Sequence, residues 1–290
     1  MLKIPIPALL CLFLSSCGQS QNAAPMPPIH YIEQSSTPQT TSLIDTRGKT
    51  IGTRFLLPEN FERTEVDPNS FANYLRNLPL KPADAEVNYY DGRVKHKRDV
   101  YEAVIDMDLD NRNLQQCADA VIRLRAEYLY GSGRYDEISF QFTNGFKADF
   151  NTWRSGHRIV VDGNNVSWRP STVSSGSYSS FRNYLNMVFA YAGTYSVARE
   201  TTPVPVEEIQ LGDIFIRAGS PGHAVIVVDV ADHKENGEKI FLLAQSYMPA
   251  QDIQVLQNPK NGPGNPWYDI DFTRLYTPEW TFSREELRRF

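Results

Sequence analysis

Leu211-Gly212-Asp213-Ile214-Phe215-Ile216 opens the stretch that decides the fold. Ser220-Pro221-Gly222-His223-Ala224-Val225-Ile226-Val227-Val228-Asp229-Val230 follows. Beyond a charged tip, Ile240-Phe241-Leu242-Leu243-Ala244-Gln245-Ser246-Tyr247 closes it. The middle run, Ala224 to Val230, is almost wholly β-branched or aliphatic, which predicts a strand buried on both faces. Asn236-Gly237 in the tip Asp232–Lys239 predicts a hairpin, with Ile240 to Ala244 returning as the partner strand. His223 then opens a central strand behind a Pro-Gly pair, and Gln245 ends the neighbouring strand close to it. A histidine on a rigid strand end beside a side-chain amide is how a general base is positioned. The competing expectation for any single histidine is a strand-end residue bonded to a loop carbonyl.

Upstream, Asp110-Asn111-Arg112-Asn113 is rich in capping residues, and Leu114 to Leu129 is good helix material. Cys117 falls in the first turns of this helix. The sequence holds three cysteines: Cys11, Cys17 and Cys117. The first lies in an apolar leader and the second at its end, so the remaining chain keeps one thiol with no intramolecular partner. A helix N-terminus favours the thiolate, because free N–H groups and the dipole stabilise negative charge. The alternative is that Cys117 is a small core hydrophobe, since Leu114, Cys117, Val121, Leu124 and Tyr128 fall on one face.

The N-terminal leader has Lys3, an apolar run Pro5 to Leu14, and then Leu14-Ser15-Ser16-Cys17, which resembles the lipobox of bacterial lipoproteins. The run is too short to span a bilayer, so a cleaved signal peptide over residues 1–17 is expected. The resemblance implies lipid on Cys17 and a bilayer as partner. Gly18 supplies no acidic retention signal, so the expected place is the cell envelope, at the outer membrane. Residues 18–41 are rich in Gln, Pro, Ser and Thr and read as a disordered tether. Residues 42–290 are then expected to form a single α+β domain. With 41% hydrophobic and 22% charged residues, the chain has ample material for a core. Its net charge of −5 argues against nucleic acid as the main partner. No Walker loop, Rossmann glycine pattern or spaced His/Cys cluster is present, so no cofactor and no metal site are expected.

A cysteine opening a helix, a Gly-Asp strand, a Gly-His strand and a polar residue on the next strand resemble the papain-like order. The likeness is nearest to the bacterial NlpC/P60 and CHAP cell-wall amidases and peptidases. Gln116-Cys117-Ala118-Asp119, Leu211-Gly212-Asp213-Ile214-Phe215, Gly222-His223-Ala224-Val225 and Gln245-Ser246-Tyr247 carry it. That resemblance implies an antiparallel sheet with the cysteine helix packed on it. It also implies Cys117 as nucleophile, His223 as base, Gln245 as the residue orienting the imidazole, and Gln116 or helix-start N–H groups as oxyanion donors. The implied substrate class is cell-envelope peptide, such as peptidoglycan stem peptide. Three departures stand out: the usual Asp-Cys-Ser/Gly-Gly opening is absent, the Cys-to-His distance is long, and the orienter is a glutamine. As a whole the chain also resembles the uncharacterised bacterial lipoproteins grouped as domain of unknown function 4846.

Between the two constellations lie short strands and a helix capped within Ser174–Ser180. Trp153 and Trp168 with Arg154 and Arg158 are candidate walls of a glycan-peptide groove, since indoles stack on sugars; core packing is the commoner use of such aromatics. His157 is the competing base, in a turn without a polar orienter. The alternative to hydrolysis is a lipid-tethered binding or scaffolding protein whose site has decayed, with the missing Asp-Cys-Ser pattern in its favour.

Overall fold

A computed structural model describes residues 42–290. The expected signal peptide, Cys17 and the tether lie outside the described residues. The strand His223–His233 and its hairpin partner Lys239–Gln245 form the middle of a nine-stranded sheet. Outward from Lys239–Gln245 come Gln254–Leu256 and Tyr101–Val104. On the other side, Ile214–Arg217, Leu287–Arg289 and Thr202–Pro203 follow His223–His233. Phe61–Arg63 and Tyr268–Asp269 pair with the central hairpin outside this path, and every pairing is antiparallel. The fold is therefore mixed α and β, built on a large antiparallel sheet.

The apolar run Ala224–Val230 divides between two cores, as a strand covered on both faces must. Ala224, Ile226 and Val228 enter the core beneath the helices, whereas Val225, Val227 and Val230 enter the opposite one. Each of these valine and isoleucine side chains removed from water contributes about 2 kcal/mol. The alternation slips once. Leu242 faces Asp229 and Leu243 faces Val227, so Val228 is the extra residue of a β-bulge. Past the bulge, Asp229 is fully buried between Arg63 Nε at 2.8 Å and Arg76 Nε at 2.7 Å. Two guanidinium groups offset the cost of desolvating this carboxylate.

The cysteine helix runs Cys117–Gly131 and packs on the helix-side core through Val121, Ile122 and Leu124. It starts later than Leu114, where the apolar spacing predicts it. Asp119 Oδ2 accepts the Gln116 N–H at 3.0 Å, making Gln116 the N-cap and Cys117 the first helical residue. Helices Tyr178–Tyr191 and Thr194–Arg199 lie on the same side, with Ser177 capping the former as the sequence suggests.

Three local readings of the sequence are corrected: Thr53-Arg54-Phe55-Leu56-Leu57 reads as a short strand, Asp67-Pro68 as a helix start with proline at the first helical position, and Arg284–Arg289 as at most a short charged helix. Thr53–Leu57 is not a strand, because a helical turn Ile51–Arg54 forms there, with Arg54 N–H donating to the Thr50 carbonyl. The helix expected from Asp67-Pro68 begins only at Phe71, where the Ser70 hydroxyl accepts the Asn73 N–H. The tail Arg284–Arg289 is not a charged helix. One turn, Arg284–Glu286, leads into the strand Leu287–Arg289 of the main sheet. Leu287 is fully buried there, and Arg289 reaches the buried Asp213 at 2.6 Å.

Candidate active site

Cys117, at the start of its helix, and His223, at the start of the central strand, line one cavity of about 590 Å³. Two features bear on this arrangement. The Asp119 cap fixes which residue begins the helix, and the backbone N–H of Ala224, the residue after His223, is close enough to the Cys117 sulfur to favour its thiolate. Gly222 keeps the approach to His223 tight. A Cβ there would lie 2.5 Å from Thr194 Oγ1 and 2.6 Å from the Gly219 carbonyl oxygen, so only glycine fits. The Gly-Asp pair before the preceding strand has a structural part. Gly212 has φ +91°, and Asp213 binds the Gln210 N–H and Arg289.

His223 is 1% exposed, and its Nε2 lies 2.8 Å from Gln245 Oε1. The roles of these atoms follow from the next contact. Gln245 Nε2 donates to Glu279 Oε2 at 2.8 Å, which turns the amide oxygen toward the imidazole. An amide oxygen only accepts, so His223 carries its proton on Nε2 and leaves the Nδ1 lone pair free. Glu279 is in turn held by Lys95, whose Nζ lies 2.8 Å from the same Oε2 and which is 3% exposed. Lys95, Glu279, Gln245 and His223 thus form one chain of charge-assisted and neutral hydrogen bonds.

Aromatic rings enclose the imidazole. Tyr247, Trp280 and Phe282 lie with ring centroids 4.9, 5.2 and 6.0 Å from it. Such an apolar collar disfavours charge. Burial, opposed by the Gln245 hydrogen bond and assisted by the Lys95 charge, lowers the His223 pKa to about 4. Burial likewise raises the Cys117 thiol to about 11, against the lowering effect of N–H groups of Ala224, Ala118 and Cys117 itself. The expected lowering of the thiol by the helix start is therefore corrected: those N–H groups act in the expected direction, and desolvation outweighs them. Thiol and imidazole both rest neutral at pH 7.

Gln116 also lines the cavity, with its side-chain nitrogen 3.3 Å from Asn113 Oδ1. Asn113 Oδ1 accepts the Ala250 N–H as well, at 2.8 Å, tying the helix entry to the loop after Tyr247. Ser246 completes this tie, its buried hydroxyl 2.9 Å from the Gln115 carbonyl. Asp119 lines the cavity behind Cys117. Its carboxyl is held at Oδ2 by the cap bond, lacks a partner at Oδ1, and is raised by burial to about 8.

Trp153, Arg154 and Trp168 are not brought to this cavity. Trp153 is 4% exposed, donates from Nε1 to the Ser180 carbonyl at 3.1 Å, and packs in the core against Tyr184. Arg154 lies over the Tyr135 ring at 4.7 Å, and Trp168 packs on Phe146 from the separate hairpin His157–Asp162/Asn165–Pro170. A groove built from these side chains is corrected: the indoles serve packing. His157 is on that hairpin too, with Nδ1 3.0 Å from the Ser155 hydroxyl. Glu279, Lys95 and Trp280 are the site residues that sequence patterns miss. Tyr195, 52% exposed, and Met248, 64% exposed, are large exposed side chains of the cavity's lining.

Among the described residues, no group of three or more His, Cys, Asp or Glu is arranged to hold a metal, and no helix is long and apolar enough to cross a membrane. The family model described as domain of unknown function (4846) matches residues 51–289, and the chain belongs to that family. No curated protein and no solved structure matches the chain significantly.

Proposed function

We propose that this member of the domain of unknown function 4846 family is a papain-like cysteine hydrolase, of the NlpC/P60 and CHAP kind, cleaving amide bonds of cell-envelope peptide. The observation that carries this reading is the contact of the His223 Nε2 with Gln245 Oε1 at 2.8 Å. The imidazole is held by Gln245 and opens into the cavity that Cys117 also lines. A cysteine paired with such a histidine and a side-chain amide is the Cys-His-amide arrangement of acyl transfer.

In this mechanism His223 Nδ1 takes the Cys117 proton as the sulfur attacks the substrate carbonyl. With the thiol near 11 and the imidazole near 4, transfer ahead of attack is uphill. Proton transfer therefore accompanies C–S bond formation. The negative charge moves to the carbonyl oxygen, which Gln116 or the N–H groups at the helix start receive. The imidazolium returns its proton to the leaving amine, giving a thioester and a free amine. Water, deprotonated by His223, then attacks the thioester, releases the carboxylic acid and restores the thiol. Gln245 holds the ring through each step, and its link to Glu279 places a carboxylate behind the imidazolium as it forms.

Peptidoglycan stem peptide is the substrate class that the envelope placement favours, with the lipobox-like Leu14-Ser15-Ser16-Cys17 carrying that placement. The bilayer then holds the chain through lipidated Cys17, at the outer membrane. Hydrolysis of purified stem peptide by the wild type, and its loss in Cys117→Ala and in His223→Ala, tests the reading. Nucleophile and base act as a unit, so the double variant should be no worse than either single one. Wild-type turnover persisting in Cys117→Ala sinks it.

A second reading draws on the neutral thiol. A cysteine raised to about 11 beside a histidine lowered to about 4 also suits a retired site that binds envelope peptide without cleaving it. Stem-peptide binding with no turnover in the wild type supports this reading over the first.

A further inference from the structure

A second cavity, of about 510 Å³, is lined by Thr143, Tyr195, Ala198, Arg199, Ala218 and Arg288. Thr143 and Tyr195 also line the cavity of Cys117 and His223, so the two hollows share a wall. Tyr195 and Arg199 stand four residues apart on the helix Thr194–Arg199, hence on one face and about 6 Å apart along its axis. That face leads from the rim of the first cavity into the second.

The two arginines differ from their neighbours in what they bind. Arg217 meets Glu286 at 2.5 Å, and Arg289 meets Asp213 at 2.6 Å. Arg288 instead gives Nε to Thr201 Oγ1 at 3.0 Å and Nη2 to the Thr201 carbonyl at 2.6 Å. Arg199 gives Nη2 to the Thr143 carbonyl at 2.5 Å. Both guanidinium groups are thus held by neutral acceptors, with N–H groups to spare, and neither forms an ion pair among the described residues. Glu200 lies within electrostatic reach of Arg199 without forming an ion pair with it, and burial raises its carboxyl to about 7, so at neutral pH it offsets that arginine only in part. The charged residues that line this cavity, Arg199 and Arg288, are thus both cations, in a chain of net charge −5.

We infer that the Arg199–Arg288 cavity is a substrate subsite for a carboxylate, so that the hydrolase acts on acidic peptides. The planar fork of an arginine suits a carboxylate, and two pre-positioned forks lose little freedom on binding one. This proposal rests on the hydrolase reading for its location beside the scissile bond, but its binding test does not need turnover.

The test uses the full chain carrying Cys117→Ala. Its ligands are a peptidoglycan stem peptide with free carboxylates and the same peptide with them converted to primary amides. Calorimetry should show the acid form binding about tenfold tighter or more, as expected for a hydrogen-bonded charge. Raising ionic strength should weaken the acid form and leave the amide form nearly unchanged. Adding Arg199→Gln and Arg288→Gln should bring the acid-to-amide ratio close to one, with thermal melting confirming that the variants fold. Equal binding of the two peptides, no binding of either, or a preference that survives in the arginine variants overturns the subsite. Failure of the hydrolase reading has a different signature: the acid preference stays intact, but the protein with Cys117 restored shows no turnover on either peptide. Turnover of both at equal kcat/KM fails the subsite alone.

Discussion

Gln245 Nε2 and Glu279 Oε2 meet at 2.8 Å, and this contact decides which end of the glutamine faces His223. Without it the amide is free to flip, presenting NH2 to the ring and moving the imidazole proton to Nδ1, the wrong nitrogen for a base toward Cys117. Gln245→Ala should lower kcat on the order of 100-fold with a smaller change in KM. Glu279→Gln keeps the shape, removes the acceptor-only character, and should lower kcat about tenfold. Lys95 is left without its carboxylate in Glu279→Ala, which should therefore also lower the melting temperature. Full activity in both Gln245→Ala and Glu279→Gln removes this chain of bonds from the mechanism.

Thiol reactivity should report the neutral resting pair. With Cys117 near 11, the rate of alkylation by iodoacetamide should be slow at pH 7 and climb as pH rises toward that value. Hydrolysis should behave differently, losing activity only as pH falls toward about 4, where His223 becomes protonated and can no longer accept. An alkylation rate already on a plateau at pH 6 indicates a thiolate–imidazolium pair and refutes the neutral one.

Lipid attachment is checked directly. Cys17→Ser should move the protein from the detergent phase to the aqueous phase when the two are separated, while hydrolysis by the purified chain is unchanged. Recovery of the wild type in the aqueous phase, with an unmodified Cys17, ends the lipoprotein proposal.

How far the sequence could be read depended on whether a residue's role was local. The central hairpin was legible because an unbroken β-branched run and Asn236-Gly237 are both local signals, and they yield His223–His233 paired with Lys239–Gln245. The same hairpin put Gln245 beside His223 without any knowledge of the rest of the chain. Glu279 and Lys95 carry no such signal. They sit outside any periodic run, and they meet each other across 184 residues of sequence. Trp153 shows the opposite failure: an indole beside arginines looks the same whether it stacks on a sugar or donates to the buried Ser180 carbonyl. The strand Leu287–Arg289 was hidden because its pairing is with Ile214–Arg217, and its charged residues find partners only once the sheet exists.

Two buried groups should shape stability against pH, with opposite signs. His223 titrates near 4 in the folded chain and about 6.5 when unfolded. Between those values the unfolded chain binds the extra proton, so stability rises with pH over this range. Asp119 titrates near 8 when folded and near 3.8 when unfolded. Between those values the folded chain holds the extra proton, so its contribution is complete below about 4 and is lost progressively as pH rises toward 8. Where the ranges overlap, from about 4 to 6.5, the two slopes oppose each other, with Glu200, raised by burial to about 7, adding to the Asp119 side; from about 7 to 8 the Asp119 loss remains. Asp119→Asn keeps an acceptor for the Gln116 N–H and removes the titration, so it should flatten the fall in melting temperature between pH 6.5 and 8.5. His223→Gln should remove the rise on the acid side while leaving that alkaline fall in place. Urea unfolding of the three proteins across pH 4 to 9 measures both slopes. An alkaline fall that is as steep in Asp119→Asn as in the wild type shows that the Asp119 carboxyl is ionised in the fold, and that the Cys117 helix opens on a charged cap.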